Sequence, residues 1–263
     1  MSVLSYLNDL GGRLNIAENE SFSISTSTDT LYSRLGYYFS SDDLLERFRF
    51  GSSTRKTMLP RAADYKSDVD YMIVFSNSYG YKPQTFISRL KRFAENRYSS
   101  SEIYQSSPTV TLFLNHIKFD LVPAYRNYGQ LYIPAPSSSF EDWMYTDPLS
   151  LNPKLEQANQ NNGHRMRRLI RLVKYWNAEN THIYDSFSLE ESIVGFSYYG
   201  DDNLKEMFHS AIRNLHTMRF YLPSYKQTKV ERAKAIIDKV KSYERDDMPF
   251  TAEIEIKKLL PEL

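Results

Sequence analysis

Apolar residues recur at two different periods along this chain, and the change from one to the other organises it. Leu4, Leu7, Leu10 and Leu14 fall at helical spacing and predict an amphipathic helix over residues 3–18. Ser21 to Thr28 is rich in Ser and Thr around Ile24, which predicts a break, with Asp29 capping a helix that runs to about Phe39. Asp42-Asp43 predicts a short helical segment leading into a strand at Arg47-Phe48-Arg49-Phe50. A clearer alternation follows: Val69, Tyr71 and Ile73 share one side of a strand, and Asp68, Asp70 and Met72 the other. Pro83 opens a helix in which Phe86, Leu90 and Phe93 share a face. Thr109–Leu114 and Ile117–Val122 read as strands joined at Asn115-His116, a hairpin.

From Ile133 to Ser139 the chain is turn-rich, and it stays loose through Asp147-Pro148 and Asn152-Pro153. This break separates a sheet-containing lobe, residues 1–145, from a helical lobe, residues 146–263. In the second lobe His164–Glu179 predicts a helix with Met166, Leu169, Ile170, Val173 and Asn177 on one face. Arg167, Arg171 and Lys174 lie on another, where solvation is the default for Arg167 and Arg168. Further helices are predicted from near Ser188, over Asn203–Met218 and over Lys226–Glu244, and residues 254–261 carry too little pattern to assign. The fold class is mixed α/β (α+β).

The alternation also carries chemistry. Side chains two apart on a strand project to one face, so Asp68 and Asp70 aim two carboxylates at one point. Asp120 alternates with Phe119 and Leu121 in a later strand and supplies a third. Three converging carboxylates suit Mg²⁺, which completes its shell with water and phosphate oxygens. In a two-metal scheme, with Mn²⁺ as a substitute, Asp68 and Asp70 ligate both ions and Asp120 completes the one facing an acceptor hydroxyl. Gly51 lets backbone approach a phosphate, and Ser52 and Ser53 donate to it. Lys174 has the reach of a point charge for a triphosphate. Ser186 offers a hydroxyl beside Phe187, an aromatic that either stacks on a base or belongs to the core.

Composition narrows the possibilities. Of 263 residues, 41% are hydrophobic and 25% charged, an ordinary globular balance. Thirty-three Lys+Arg against 32 Asp+Glu give a formal charge of +1, without the basic surplus of a general nucleic-acid binder. The absence of Cys removes disulfides and thiolate zinc sites. The N-terminal stretch lacks the basic and apolar regions of a signal peptide, and no run approaches a membrane span, so a cytoplasmic protein is expected.

These motifs, in this order, carry a family resemblance. Phe50-Gly51-Ser52-Ser53-Thr54-Arg55-Lys56-Thr57, Ser67-Asp68-Val69-Asp70, Phe119-Asp120-Leu121-Val122-Pro123, Thr146-Asp147-Pro148 and the helix Leu169 to Trp176 resemble the cGAS/DncV-like nucleotidyltransferases (CD-NTases) of bacteria. That is the branch of the DNA polymerase β superfamily containing cyclic GMP-AMP synthase and oligoadenylate synthase. Ser186-Phe187-x-Leu189-Glu190 is similar to the family's Ser-Tyr-x-Leu/Val motif, and the likeness extends from about residue 20 to residue 200. It implies a polymerase-β-like sheet lobe plus a helical C-terminal lobe, with the active site in the cleft between them. It implies further that Lys174 and Ser186 bind the donor triphosphate and that Phe187 stacks on a base. Members join nucleoside triphosphates into cyclic or linear oligonucleotide signals that activate an effector protein, typically in anti-phage defence. Lys56 departs from the pattern, standing where many members have Gly, and the insertion Met58 to Lys66 is long. Without Cys there is no zinc thumb like that of the animal DNA sensor, so direct DNA sensing is not expected, nor is a membrane partner. Two alternatives remain open: transfer of a nucleotide to an RNA 3′ end, a protein or a small molecule, and a catalytically inactive binding protein.

Overall fold

Helix α1 (Val3–Arg13) starts at Ser2, whose hydroxyl accepts the Ser5 amide, and it buries Val3, Tyr6, Leu7 and Leu10. The computed structural model describes residues 2–77, 79–106, 108–135, 142–215 and 222–263. Pro136–Ser139, part of the expected break, and His216–Met218, the expected end of a helix, lie outside them. Contacts divide the chain into two units, one of Met1–Ile16, Lys56–Tyr65 and Leu151–Leu263, the other of Ala17–Arg55 and Lys66–Ser150.

The second unit is built on a sheet. It opens with α2 (Glu18–Tyr38), which runs straight through the Ser/Thr-rich stretch where a break was expected. The hydroxyls of Ser23, Thr26, Thr28 and Thr30 each donate to the carbonyl four residues back, so they cease to compete with the helix. Ile24, Thr28, Leu31 and Leu35 form the buried stripe that decides the matter, and Asp29 is mid-helix rather than a cap. Asp42-Asp43 forms a turn, with the Ser40 carbonyl accepting the Asp43 and Leu44 amides, instead of a helical segment.

Strands β1 (Leu44–Phe50), β2 (Asp68–Phe75), β3 (Glu102–Ser106), β4 (Thr109–Phe113), β5 (Lys118–Asn127), β6 (Gln130–Pro134) and β7 (Trp143–Thr146) form one sheet. Its order is β1-β2-β5-β4-β3, with β6 pairing with β5 and β7 with β6. Among the described strands only β2 and β5 run parallel; the hairpin of β4 and β5 is antiparallel, as the sequence predicts. The short helix α3 (Ser52–Arg55) follows β1, and α4 (Pro83–Arg97), with Pro at its first turn, covers one sheet face. Phe86, Ile87, Leu90 and Phe93 are fully buried there, with Phe86 stacked on Phe75 at 5.2 Å between centroids. On the opposite face Met72, Val74, Val122, Ala124 and Leu131 form a second apolar cluster. Along β2 that face continues backward to Asp70 and Asp68, so the aspartates sit where an apolar sheet face turns polar.

The first unit is helical: α1, α5 (Leu151–Asn161), α6 (Met166–Glu179), α7 (Ser186–Gly195), α8 (Leu204–Asn214), α9 (Ser224–Arg245) and α10 (Pro249–Lys257). Helix α6 is its axis, buried from Leu169 through Asn177, including Arg171 and Lys174. Arg171 and Lys174 are therefore consumed inside the fold, while Arg167 and Arg168, expected to be solvated, are half-buried. Arg171 donates to the Gly11 carbonyl at 3.2 Å and the Lys56 carbonyl at 2.9 Å, and burial lowers its pKa to about 10. Arg167 pairs with Glu156 at 2.5 Å, and Arg168 donates to Asn8. A Cβ on Gly11 would meet the Arg168 stem at 2.4 Å, so glycine is what allows α1 and α6 to approach so closely.

The insertion after α3 packs into this unit through Leu59 and Ala63, and His182 Nε2 lies 3.0 Å from Asp64. Lys56 has φ +60°, a left-handed conformation that glycine adopts without strain. Its carbonyl accepts from Arg171, which holds this backbone turn in place. Among the described residues no helix is long and apolar enough to cross a membrane.

Candidate active site

The parallel register of β2 and β5 sets Asp70 beside Asp120 and Asp68 beside Lys118. Neighbours in register point to the same face, so the three carboxylates converge without help from any loop. One oxygen from each lies within 4.8 Å of the others, and all three residues are half-buried. Thr111, opposite Asp120 on β4, donates its hydroxyl to Asp120 Oδ1 at 2.7 Å and fixes that carboxylate.

Lys118 is the member that sequence reasoning missed. Its ammonium lies 2.9 Å from Asp68 and 3.5 Å from Asp120. Burial works to lower the lysine pKa, but the two carboxylates outweigh it and hold it above its ordinary value. The signal was present: Lys118 and Asp120 are two apart on one strand, so whatever Asp120 faces, Lys118 faces too. Three carboxylates at this spacing repel one another, and the ammonium offsets that repulsion without adding a metal ligand. Their oxygen donor set fits a hard divalent cation, and no thiolate or imidazole is present to favour a softer one.

Gly51 ends β1 at φ +73°. A Cβ there would lie 2.0 Å from Asp70 Oδ2, so glycine is required by conformation and by the carboxylate alike. Gly51→Ala should cost more than about 1 kcal/mol of stability and push Asp70 out of the cluster. Urea unfolding checks the first part and Mn²⁺ binding by electron paramagnetic resonance the second; wild-type values in both would refute it. Ser52 and Ser53 open α3, and the Ser53 hydroxyl donates to the Phe50 carbonyl at 3.2 Å. Ser53 is therefore occupied with the turn, and Ser52 is the better placed of the two to meet a ligand.

The remaining predicted residues belong to the helical unit. Lys174 is 8% exposed, and its ammonium bonds Glu190 Oε1 at 2.9 Å, with Glu190 wholly buried. Ser186 opens α7 behind Asp185, which caps the helix by accepting the Ser188 amide at 2.9 Å. Phe187 is 41% exposed, too open for a core residue. The geometry thus gathers Gly51, Asp68, Asp70 and Asp120 in one unit, and places Lys174, Ser186 and Phe187 on α6 and α7 of the other.

Comparison with known proteins gives the family and the fold. A family model described as the Second Messenger Oligonucleotide or Dinucleotide Synthetase domain (SMODS) matches residues 1–159. A probable cyclic nucleotide synthase of Bacillus cereus is 30% identical over 106 residues, 38% of this chain and 32% of that protein, so the match spans about a third of the relative's length. The structure of CdnC from E. coli MS115-1 with ATP superposes with a TM-score of 0.72 at 14% identity, covering 97% of both chains. The Bradyrhizobium diazoefficiens CD-NTase CdnG with GTP gives 0.69 at 11% identity, again covering 97% of both. At such identities the likeness is one of fold, and the fold is that of the CD-NTases. With the matched model reaching across the glycine turn and all three aspartates, this chain belongs to the SMODS family of second-messenger synthetase domains.

Proposed function

We propose that the chain is a metal-dependent nucleotidyltransferase that joins nucleoside triphosphates into a cyclic or linear oligonucleotide second messenger. The observation that carries this reading is the register of Asp70 beside Asp120, with Gly51 closed against Asp70. In the reaction a ribose 2′- or 3′-hydroxyl attacks the α-phosphorus of a triphosphate, and the bond to the β-phosphate breaks to release pyrophosphate. Two Mg²⁺ ions, or Mn²⁺ in their place, held by Asp68, Asp70 and Asp120, would lower the pKa of the hydroxyl and neutralise charge on the phosphates. The Thr111 hydroxyl keeps Asp120 oriented, and Gly51 leaves room for the Asp70 carboxylate. Lys174 and Ser186 hold the donor triphosphate, the phosphates taking over the ammonium that Glu190 otherwise binds. Family membership supports an effector protein as the partner of the product, anti-phage defence as the setting and the cytoplasm as the location.

Phe187 stacks on a nucleobase in this reading. Being exposed, its truncation should spare most of the roughly 3–5 kcal/mol that a buried Phe→Ala change costs. Phe187→Ala should therefore raise KM with little change in melting temperature, and Phe187→Tyr should retain activity. A large fall in melting temperature for the Ala variant would return the ring to the core.

The function itself is tested by incubating the protein with all four NTPs and Mg²⁺ or Mn²⁺ and resolving phosphatase-resistant products by mass. Oligonucleotides made from NTPs alone are expected. Products that require an added RNA, protein or small-molecule acceptor would overturn the messenger reading. Release of no pyrophosphate from any NTP would overturn nucleotidyl transfer as well.

A further inference from the structure

Within the helical unit, α8 and α9 border a cavity of about 690 Å³, inside the size range of small-molecule sites. On α8, Lys205, His209 and Arg213 follow one another at helical spacing, and on α9, Lys241 and Arg245 do the same from the other side. Carboxylates also line the cavity, but they are engaged. Glu244 takes both its oxygens to Lys205 at 2.9 and 3.0 Å, Asp238 pairs with Arg213, and Glu206 accepts the Asp202 amide at 2.9 Å. Lys241 and Arg245 have no such partner among the described residues. His209 is 1% exposed, and its buried Nε2 has no hydrogen-bond partner. Buried polar atoms in folded proteins are almost always satisfied, so an orphan in a residue that lines a cavity marks a place where something else supplies the bond.

We propose that this cavity is a binding site for a small oxyanion, a phosphate- or carboxylate-bearing metabolite. Lys241 and Arg245 receive the charge, and the His209 imidazole bonds a neutral part of the ligand. The field at the imidazole agrees in sign. Burial, with Lys241, Lys205 and Arg213 adding to it, lowers the His209 pKa to about 3, so the ring is neutral at physiological pH and its surroundings favour negative charge. The guanidinium of Arg245 offers a planar fork suited to either oxyanion. The site uses none of the residues assigned to nucleotidyl transfer, so it stands or falls apart from that function.

The test follows the His209 ring resonance in long-range ¹H–¹⁵N spectra of the full chain, identified by its loss in His209→Gln. Pyrophosphate and succinate are titrated separately at ionic strength held constant with chloride. A saturable shift with a Kd below 5 mM for either probe is expected, and which probe acts tells phosphate from carboxylate. Lys241→Glu and Arg245→Glu, both near the surface, should weaken binding at least tenfold while leaving the melting temperature unchanged. No saturable shift with either probe, or equal affinity in the two charge-reversed variants, overturns the proposal. Because the readout sits on α8, pyrophosphate bound at the aspartates does not mimic it.

Discussion

Asp70→Asn should abolish product formation and leave the fold intact. An amide keeps the shape of the carboxylate and removes the charge that holds a divalent cation. Loss of a residue that merely supports a metal ligand costs about 10–100-fold, so loss of a ligand itself should exceed about 100-fold in turnover. Stability should stay level or rise, because Asp70 shares the cluster with two other carboxylates within 4.8 Å and relieving their repulsion is favourable. Asp68→Asn is the less clean partner experiment, since it also takes away the 2.9 Å contact to Lys118. Turnover by pyrophosphate release, beside thermal unfolding of the metal-free protein, checks both halves. Unchanged turnover in Asp70→Asn would remove the metal mechanism.

Lys174→Ala should show its largest effect on folding, before any effect on nucleotide. The substitution takes the ammonium away from Glu190, which is wholly buried, and breaking a buried ion pair costs about 3–5 kcal/mol. Lys174→Met combined with Glu190→Leu should recover most of that loss, because the desolvation of both charges disappears together. Urea unfolding of the three proteins gives the comparison; a stable Lys174→Ala would mean the pair contributes nothing. The same pair gives a better probe of the phosphate role. If triphosphate competes with Glu190 for the ammonium, Glu190→Gln should bind every NTP more tightly, whatever the base. A change confined to one nucleotide would mean that Lys174 reads a base.

The site was legible in the sequence to the extent that it is made by strands. A period of two fixes which residues share a face, so the convergence of Asp68, Asp70 and Asp120 follows once the strands are recognised. The same rule would have delivered Lys118, which shares that face with Asp120. What the sequence hid was set by tertiary context. The hydroxyl-rich first half of α2 lacks the composition of a helix and becomes one because four side chains bond back to their own turn while a stripe of apolar residues is buried. The basic flank of α6 looked solvated because three cations there have carbonyl or side-chain partners 11 to 160 residues away. Strands β3, β6 and β7 went unread: each is four or five residues long, and none lies beside the Asn115-His116 turn signal that marked the equally short β4 as the partner of a clear strand.

Helix α1 shares its core with the far end of the chain: the Tyr6 hydroxyl donates to the Leu260 carbonyl at 2.6 Å, across a sequence separation of 254. During synthesis this contact waits for a partner made 254 residues later. At about 5–20 residues per second that interval is on the order of 13–50 s. The sheet unit, by contrast, is complete once residue 150 has emerged. Its seven strands can therefore settle while the amphipathic first helix stays exposed to chaperones and to neighbouring chains. The helical unit thus closes only after residue 260 has been made, and loss of the residues around Leu260 would remove part of that first helix's dock however well the sheet had formed.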